Sequence, residues 1–200
     1  MSGSKVSIKG DVRTNGNVMI SGSSVVVSGA ISYGGSNNVG HGVSSGGVVF
    51  SAAEVPAGLP WKVSDFAPGG RYSSLSGYFA HSDSINISKG SLTPGVHYVA
   101  GDVNISGSSP VLTGVTIVAT GRITISGSTT LTPAAAGLPT LLSGGGSCWA
   151  TGIQLSGSHV SWTGIIAAPG GGIQVSSSEV QGARLVGGSV QLSGSNITLA

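Results

Sequence analysis

Val103-Asn104-Ile105-Ser106-Gly107-Ser108 and, twenty residues on, Ile123-Thr124-Ile125-Ser126-Gly127-Ser128 decide the fold. Each reads apolar, polar, apolar, serine, then a Gly-Ser turn. Alternation of this kind puts every second side chain on one face of a strand. Further copies start at Ile85-Asn86-Ile87-Ser88, Ile153-Gln154-Leu155-Ser156, Ile173-Gln174-Val175-Ser176 and Val190-Gln191-Leu192-Ser193, with an earlier one at Val18-Met19-Ile20-Ser21. From Ile85 onward the steps between first residues are 18, 20, 30, 20 and 17. A recurrence near that length marks a solenoid, in which each coil buries its apolar side against the next. The sequence therefore predicts an all-β fold, a right-handed β-solenoid of six to seven coils.

Stacking in this register predicts two interior columns. One runs Ile85, Val103, Ile123, Ile153, Ile173, Val190; the other runs Ile87, Ile105, Ile125, Leu155, Val175, Leu192. Asn86, Asn104, Thr124, Gln154, Gln174 and Gln191 lie between them and are expected to face out as a structural polar ladder, with amides bonding from coil to coil. Leu199 and Ile197 would leave the last coil open, so the expectation is either that the native chain continues there or that the open C-terminal coil self-associates with another copy.

The middle of the chain reads differently. Between Phe50 and Phe79 the alternation stops, and Pro56, Pro60 and Pro68 appear among six of the ten aromatic residues. Tyr72, Leu75, Tyr78 and Phe79 share one helical face by spacing. One short flanking α-helix is expected inside an inserted segment, residues 51–81. The long step of 30 holds a second insertion, residues 133–150, expected to protrude as a loop. The whole of 1–200 reads as one solenoid domain.

Composition narrows the function classes. Charged residues make up 7% of the chain, net charge is +2, and the eight Lys and Arg are scattered. Nucleic-acid binding needs a dense basic stripe, so none is expected. No run approaches the ~20 apolar residues of a membrane span. Cys148 stands alone, and no paired-cysteine metal motif, phosphate loop or Ser-His-Asp order is present. Solenoids do host polysaccharide-cleaving sites, which need two carboxyl groups about one bond. Only Asp83 and Asp102 stand one coil apart, with His81 and His97 near them in sequence. Aspartates at such turns are ordinary. The expectation is therefore no catalytic residue, no cofactor and no metal. For ligand contact the candidates are Trp149 and Trp162, against the alternative that they pack the insertion onto the coil.

Trp162-Thr163-Gly164-Ile165-Ile166-Ala167-Ala168-Pro169, then Ile173-Gln174-Val175 and Val180-Gln181-Gly182-Ala183-Arg184-Leu185-Val186-Gly187-Gly188, resembles the closing coils of the bacterial choice-of-anchor A surface domain. Asp65-Phe66-Ala67 and Leu75-Ser76-Gly77-Tyr78-Phe79-Ala80 are similar to its Asp-Phe-Ala helix, although Pro68-Gly69-Gly70 interrupts it. Leu92-Thr93-Pro94-Gly95-Val96-His97-Tyr98 is similar to a turn of ice-binding solenoids that carry a flanking helix. Coils of the type Val103-Asn104-Ile105-Ser106-Gly107 also resemble β-helical domains of bacterial pilus-assembly proteins. The resemblance to the first family implies an exported, non-catalytic, cell-surface or appendage module, a scaffold or adhesin with a surface glycan or protein ligand. Its export signal and anchor would lie outside this chain. The alternative is an ice-binding protein using a flat solenoid face, for which low charge and the threonines between 113 and 132 speak.

Overall fold

The computed structural model is an all-β parallel solenoid of about eight turns. It describes residues 2–9, 12–14, 18–22, 24–33, 37–39, 43–50, 59–88, 91–146 and 150–199. Each coil places short strands on three sheet faces. The ladder face carries Ile85–Ile87, Val103–Ser106 and Ile123–Ser126, continued by parts of the long strands Thr151–Trp162, Ile165–Gly182 and Arg184–Leu199. Its register is the one the repeat predicts: Ile85, Val103, Ile123, Ile153, Ile173 and Val190 stand over one another. Ile105, Ile123, Ile125, Ile153, Leu155 and Val175 are fully buried, as interior columns must be. A coil has little core of its own, so the stack supplies it.

A second face, called here the flanked face, is buried on both sides. Its strands include Tyr78–His81, Gly95–Val99, Val115–Ala119 and Leu141–Ser143. Val115–Ala119 is buried at every position. Ile117, Leu141 and Ile166 point into the main core, while Val118, Leu142 and Ala167 belong to a second apolar cluster with Trp61 and Phe66. A strand covered on both faces needs a continuous apolar run, and Val-Thr-Ile-Val-Ala meets that need. Its one hydroxyl is satisfied, since Thr116 Oγ1 donates to the Pro139 carbonyl at 2.8 Å. Leu141–Ser143 lies within the segment expected to protrude, so that segment contributes a rung as well as a loop.

The order of coils along the axis differs from their order in the chain. The first strand, Ser2–Ile8, pairs with Arg184–Leu199, placing Ser2 on Ser193 and Val6 on Ile197. On its other edge it pairs with Val25–Tyr33 and Val18–Gly22. Val25–Tyr33 in turn carries Val43–Phe50. The stack therefore begins at Tyr78–His81, climbs to Leu199, and continues through residues 2–50. This corrects the expectation of an open last coil: the Lys9 N–H donates to the Leu199 carbonyl at 2.7 Å, and Leu199 is buried. It also raises the coil count above six to seven, because the strands Ser2–Ile8, Val18–Gly22, Val25–Tyr33 and Val43–Phe50 add further rungs.

Among the described residues the flanking α-helix is not present. Residues 59–77 run beside the solenoid as a single 3₁₀ turn, Val63–Phe66, followed by linked tight turns. Gly69 and Gly77 sit at φ +80° and +77°, left-handed conformations that end a helix. The aromatic spacing that resembled a helix is split between turn and sheet. Tyr78 and Phe79 start a strand paired with Val96 and His97, and Leu75 is exposed. Phe66 anchors the flank. It is fully buried, stacks on Tyr72 at 4.5 Å, and its carbonyl accepts the Tyr78 hydroxyl at 2.7 Å. The Trp61 Nε1–H donates to the Gly137 carbonyl at 3.1 Å. Phe66→Ala should lower the unfolding free energy by about 3–5 kcal/mol in urea titrations, the usual cost of an emptied aromatic site. A loss under about 1 kcal/mol would show that the flank is not part of the cooperative unit.

Candidate functional site: the uncharged ladder face

Six consecutive rungs of the ladder face turn polar, uncharged side chains outward. Asn86, Asn104, Thr124, Gln154, Gln174 and Gln191 are in register and exposed or half-exposed. Beside them Ser106, Ser126, Ser156, Ser176 and Ser193 form a hydroxyl row, and the backbone register runs on to Ser2 and Ser21. The polar column is where the repeat places it, but its bonding differs from the expectation. Among the described residues no side-chain hydrogen bond joins the amides of neighbouring rungs. Hydroxyls do pair across rungs, with Ser176 and Ser193 Oγ atoms 3.0 Å apart. On the third face, which carries Val111–Leu112, Thr129–Leu131 and residues 160–162, Thr130 pairs with Ser161 at 3.0 Å, and just before it Ser128 pairs with Ser158 at 2.7 Å. A short hydroxyl stays close to the sheet, whereas a longer amide reaches water. The outward amides therefore turn their donors and acceptors to solvent.

The corner before the ladder face is stitched by short polar contacts. The Asp102 N–H donates to Ser84 Oγ at 2.8 Å, and the Arg122 N–H donates to Asp102 Oδ1 at 2.7 Å. Arg122 Nε–H donates to the Thr151 carbonyl at 3.0 Å. Asp102 is thus a bridge between coils, and Asp83 accepts from the Ser82 hydroxyl beside it. Among the described residues no group of three His, Cys, Asp or Glu is placed to hold a metal ion.

His81 and His97 do come together, inside the first coils. Their rings stack at 5.4 Å, and Phe79 stacks on His97 at 4.7 Å. His97 Nε2 lies 2.8 Å from the Thr93 carbonyl, which can only accept, so Nε2 carries the proton. Its Nδ1 then accepts from His81 Nε2 at 3.2 Å. Burial pushes the His97 pKa below the ordinary histidine value; its bond to Thr93 opposes this, and His81 adds to the lowering. This pair links the first two rungs of the flanked face.

Trp162, a candidate for ligand contact, is placed as a packing residue. It is 3% exposed and packs in the main core. The reason lies one coil up, where Gly182 presses its bare Cα side on the indole. Any Cβ at that position would collide with the ring. The indole Nε1 has no hydrogen-bond partner. Trp162 contributes only an edge to an open groove of 330 Å³ on the third face, beside Thr130, Ser161, Gln181 and Thr198. Trp149, the other aromatic candidate, lies outside the described residues.

Comparisons with family models, with curated proteins and with solved structures find no match to this chain.

Two outcomes follow from this geometry. Asp102→Ala should cost about 1 kcal/mol in chemical denaturation, the scale of one bridging hydrogen bond, and an unchanged midpoint would show that the corner stitch carries no stability. For His97, the folded pKa is the lower one, so the unfolded chain gains its proton first as pH falls. The stabilisation is complete above about pH 6.5 and is lost below it. Unfolding free energy should therefore drop between about pH 7 and pH 5, and His97→Gln should flatten that drop. Equal slopes in both proteins would rule the link out.

Proposed function

We propose that this chain is a non-catalytic solenoid module of the kind displayed at bacterial cell surfaces or on appendages, in the manner of the choice-of-anchor A domain. Its work is done by the ladder face, which engages a neutral polymer, a surface glycan or an uncharged protein surface. One observation carries the reading: six in-register rungs offer a flat array of amides and hydroxyls with no charged side chain among residues 85–88, 103–106, 123–126, 153–156, 173–176 and 190–193. Such a surface matches a long, uncharged, hydrogen-bonding partner better than a small molecule, which needs a concave site.

A second reading, ice binding, draws on the same array. Rungs repeat at ~4.8 Å across strands and every second residue at roughly 6.7 Å along them, giving a two-dimensional polar lattice on a rigid sheet. Rows of this regularity can order water.

Thermal hysteresis and ice-crystal shaping, run beside a glycan array, separate the two. Gln174→Lys and Thr124→Lys add charge to the face without touching the core, so the fold should persist with a Tm shift of a few degrees at most. The adhesin reading predicts round, unshaped crystals and a glycan or protein signal that both variants reduce at least tenfold. Faceted crystals with a freezing gap that the variants abolish would install the ice-binding reading. Binding unchanged by both lysines would remove the ladder face from either account.

A further inference from the structure

Among the described residues, the displaced order of coils leaves one strand position unfilled on the flanked face. Ser2 stands between Ser193 and Ser21, so the coil of residues 2–14 is seated one turn above the coil of residues 184–199. The two coils enter the faces at different points. The upper coil starts on the ladder face and reaches the flanked face last, with Val12–Thr14. The lower coil starts on the flanked face, with residues 184–187, and runs to Leu199 before reaching it again. Two flanked-face strands in successive positions would be one rung apart; these are two rungs apart, roughly 9.6 Å at the usual strand spacing.

The pairings agree. Residues 184–187 pair with residues 165–168 on one edge, and Val12–Thr14 pairs with residues 31–33 on one edge. Among the described residues neither has a strand partner on the edge that faces the other. Burial changes at the same place. Going up the inner column, Ile117, Leu141 and Ile166 are fully buried, and Leu185 is only half-buried. Up the outer column, Val118, Leu142 and Ala167 are fully buried, and Val186 is half-buried. Beyond the gap the core resumes with Ile31, buried completely and in register with Val12.

We infer that this slot binds one extended strand of a partner polypeptide, parallel to its neighbours and apolar on both sides. A single strand fits the width and satisfies both facing rows of backbone groups. The chemistry of the occupant follows from its neighbours. Inner side chains continue the Ile117–Leu141–Ile166–Leu185 column, and outer ones continue the column that ends at Val186 beside the Trp61–Phe66 cluster. An occupant spanning about one strand must therefore read as a continuous apolar run, as Val115–Ala119 does three rungs below residues 184–187, and not as the alternating pattern of the ladder face. The inference is independent of what the ladder face binds.

The test uses the chain's own flanked-face sequence as probe. One arm adds a peptide containing Val-Thr-Ile-Val-Ala in trans to the intact chain. The other fuses the same run ahead of Ser2 through a short corner. Amide hydrogen exchange at residues 184–187 and 12–14 should slow at least tenfold in both arms, and the fused protein should melt several degrees higher. A Ser-Thr-Ser-Val-Ser control should do neither. Unchanged exchange with both probes overturns the inference. Sedimentation showing that the unmodified chain dimerises, with the same amides already protected, overturns it in favour of a second copy as occupant. If the fused protein fails to fold, exchange in the peptide arm decides alone.

Discussion

A parallel rung has hydrogen-bonding groups on both edges, and away from the ends of the stack and the slot beside residues 184–187 each described rung is held by the one below and the one above. That constraint governs the rest of the structure. It puts Ile123 over Val103 in closed columns, aligns the ladder face, and penalises any edge left without a partner. The pairing of Ser2–Ile8 with Arg184–Leu199 is where the constraint is most consequential. It closes the last coil, joins the two ends of the chain in the middle of one stack, and makes residues 59–77 travel along the outside to reach the far end.

That outside passage explains why one face differs from the other two. The flank lies on the strands that include Gly95–Val99 and Val115–Ala119, so these are apolar on both sides, while the ladder and third faces alternate. Among the described residues, the long repeated polar surface is thus left on the ladder face. Buried columns and corner contacts such as Asp102 with Arg122 hold the coils, and the outward amides of Gln154, Gln174 and Gln191 bond to no neighbouring amide among the described residues.

Much of this was legible in residues that repeat. The columns from Ile85 to Val190 and the polar row between them follow directly from alternation and spacing. What was not legible depends on contacts between distant parts of the chain. Nothing local in Val6-Ser7-Ile8 says that its neighbour is Ile197; any strand with this alternation could seat there. The aromatic spacing around Tyr72 and Tyr78 imitated a helix, although Gly69 and Gly77 carried the opposing signal. Trp162 looked like an exposed anchor, and only Gly182, which leaves space for the indole one coil away, marks it as core. The slot beside residues 184–187 had no signal at all in the sequence, since it arises from where two coils begin.

A cross-link between the first strand and the last coil tests the stack order most directly. Lys5 and Asn196 are register partners on adjacent parallel strands, which puts their Cα atoms within the span a disulfide needs. In a Cys148→Ser background, Lys5→Cys with Asn196→Cys should oxidise within the monomer and raise the melting temperature. If the two thiols stay reduced, or bond only between molecules, the first strand does not sit on the last coil and the stack order described here is wrong.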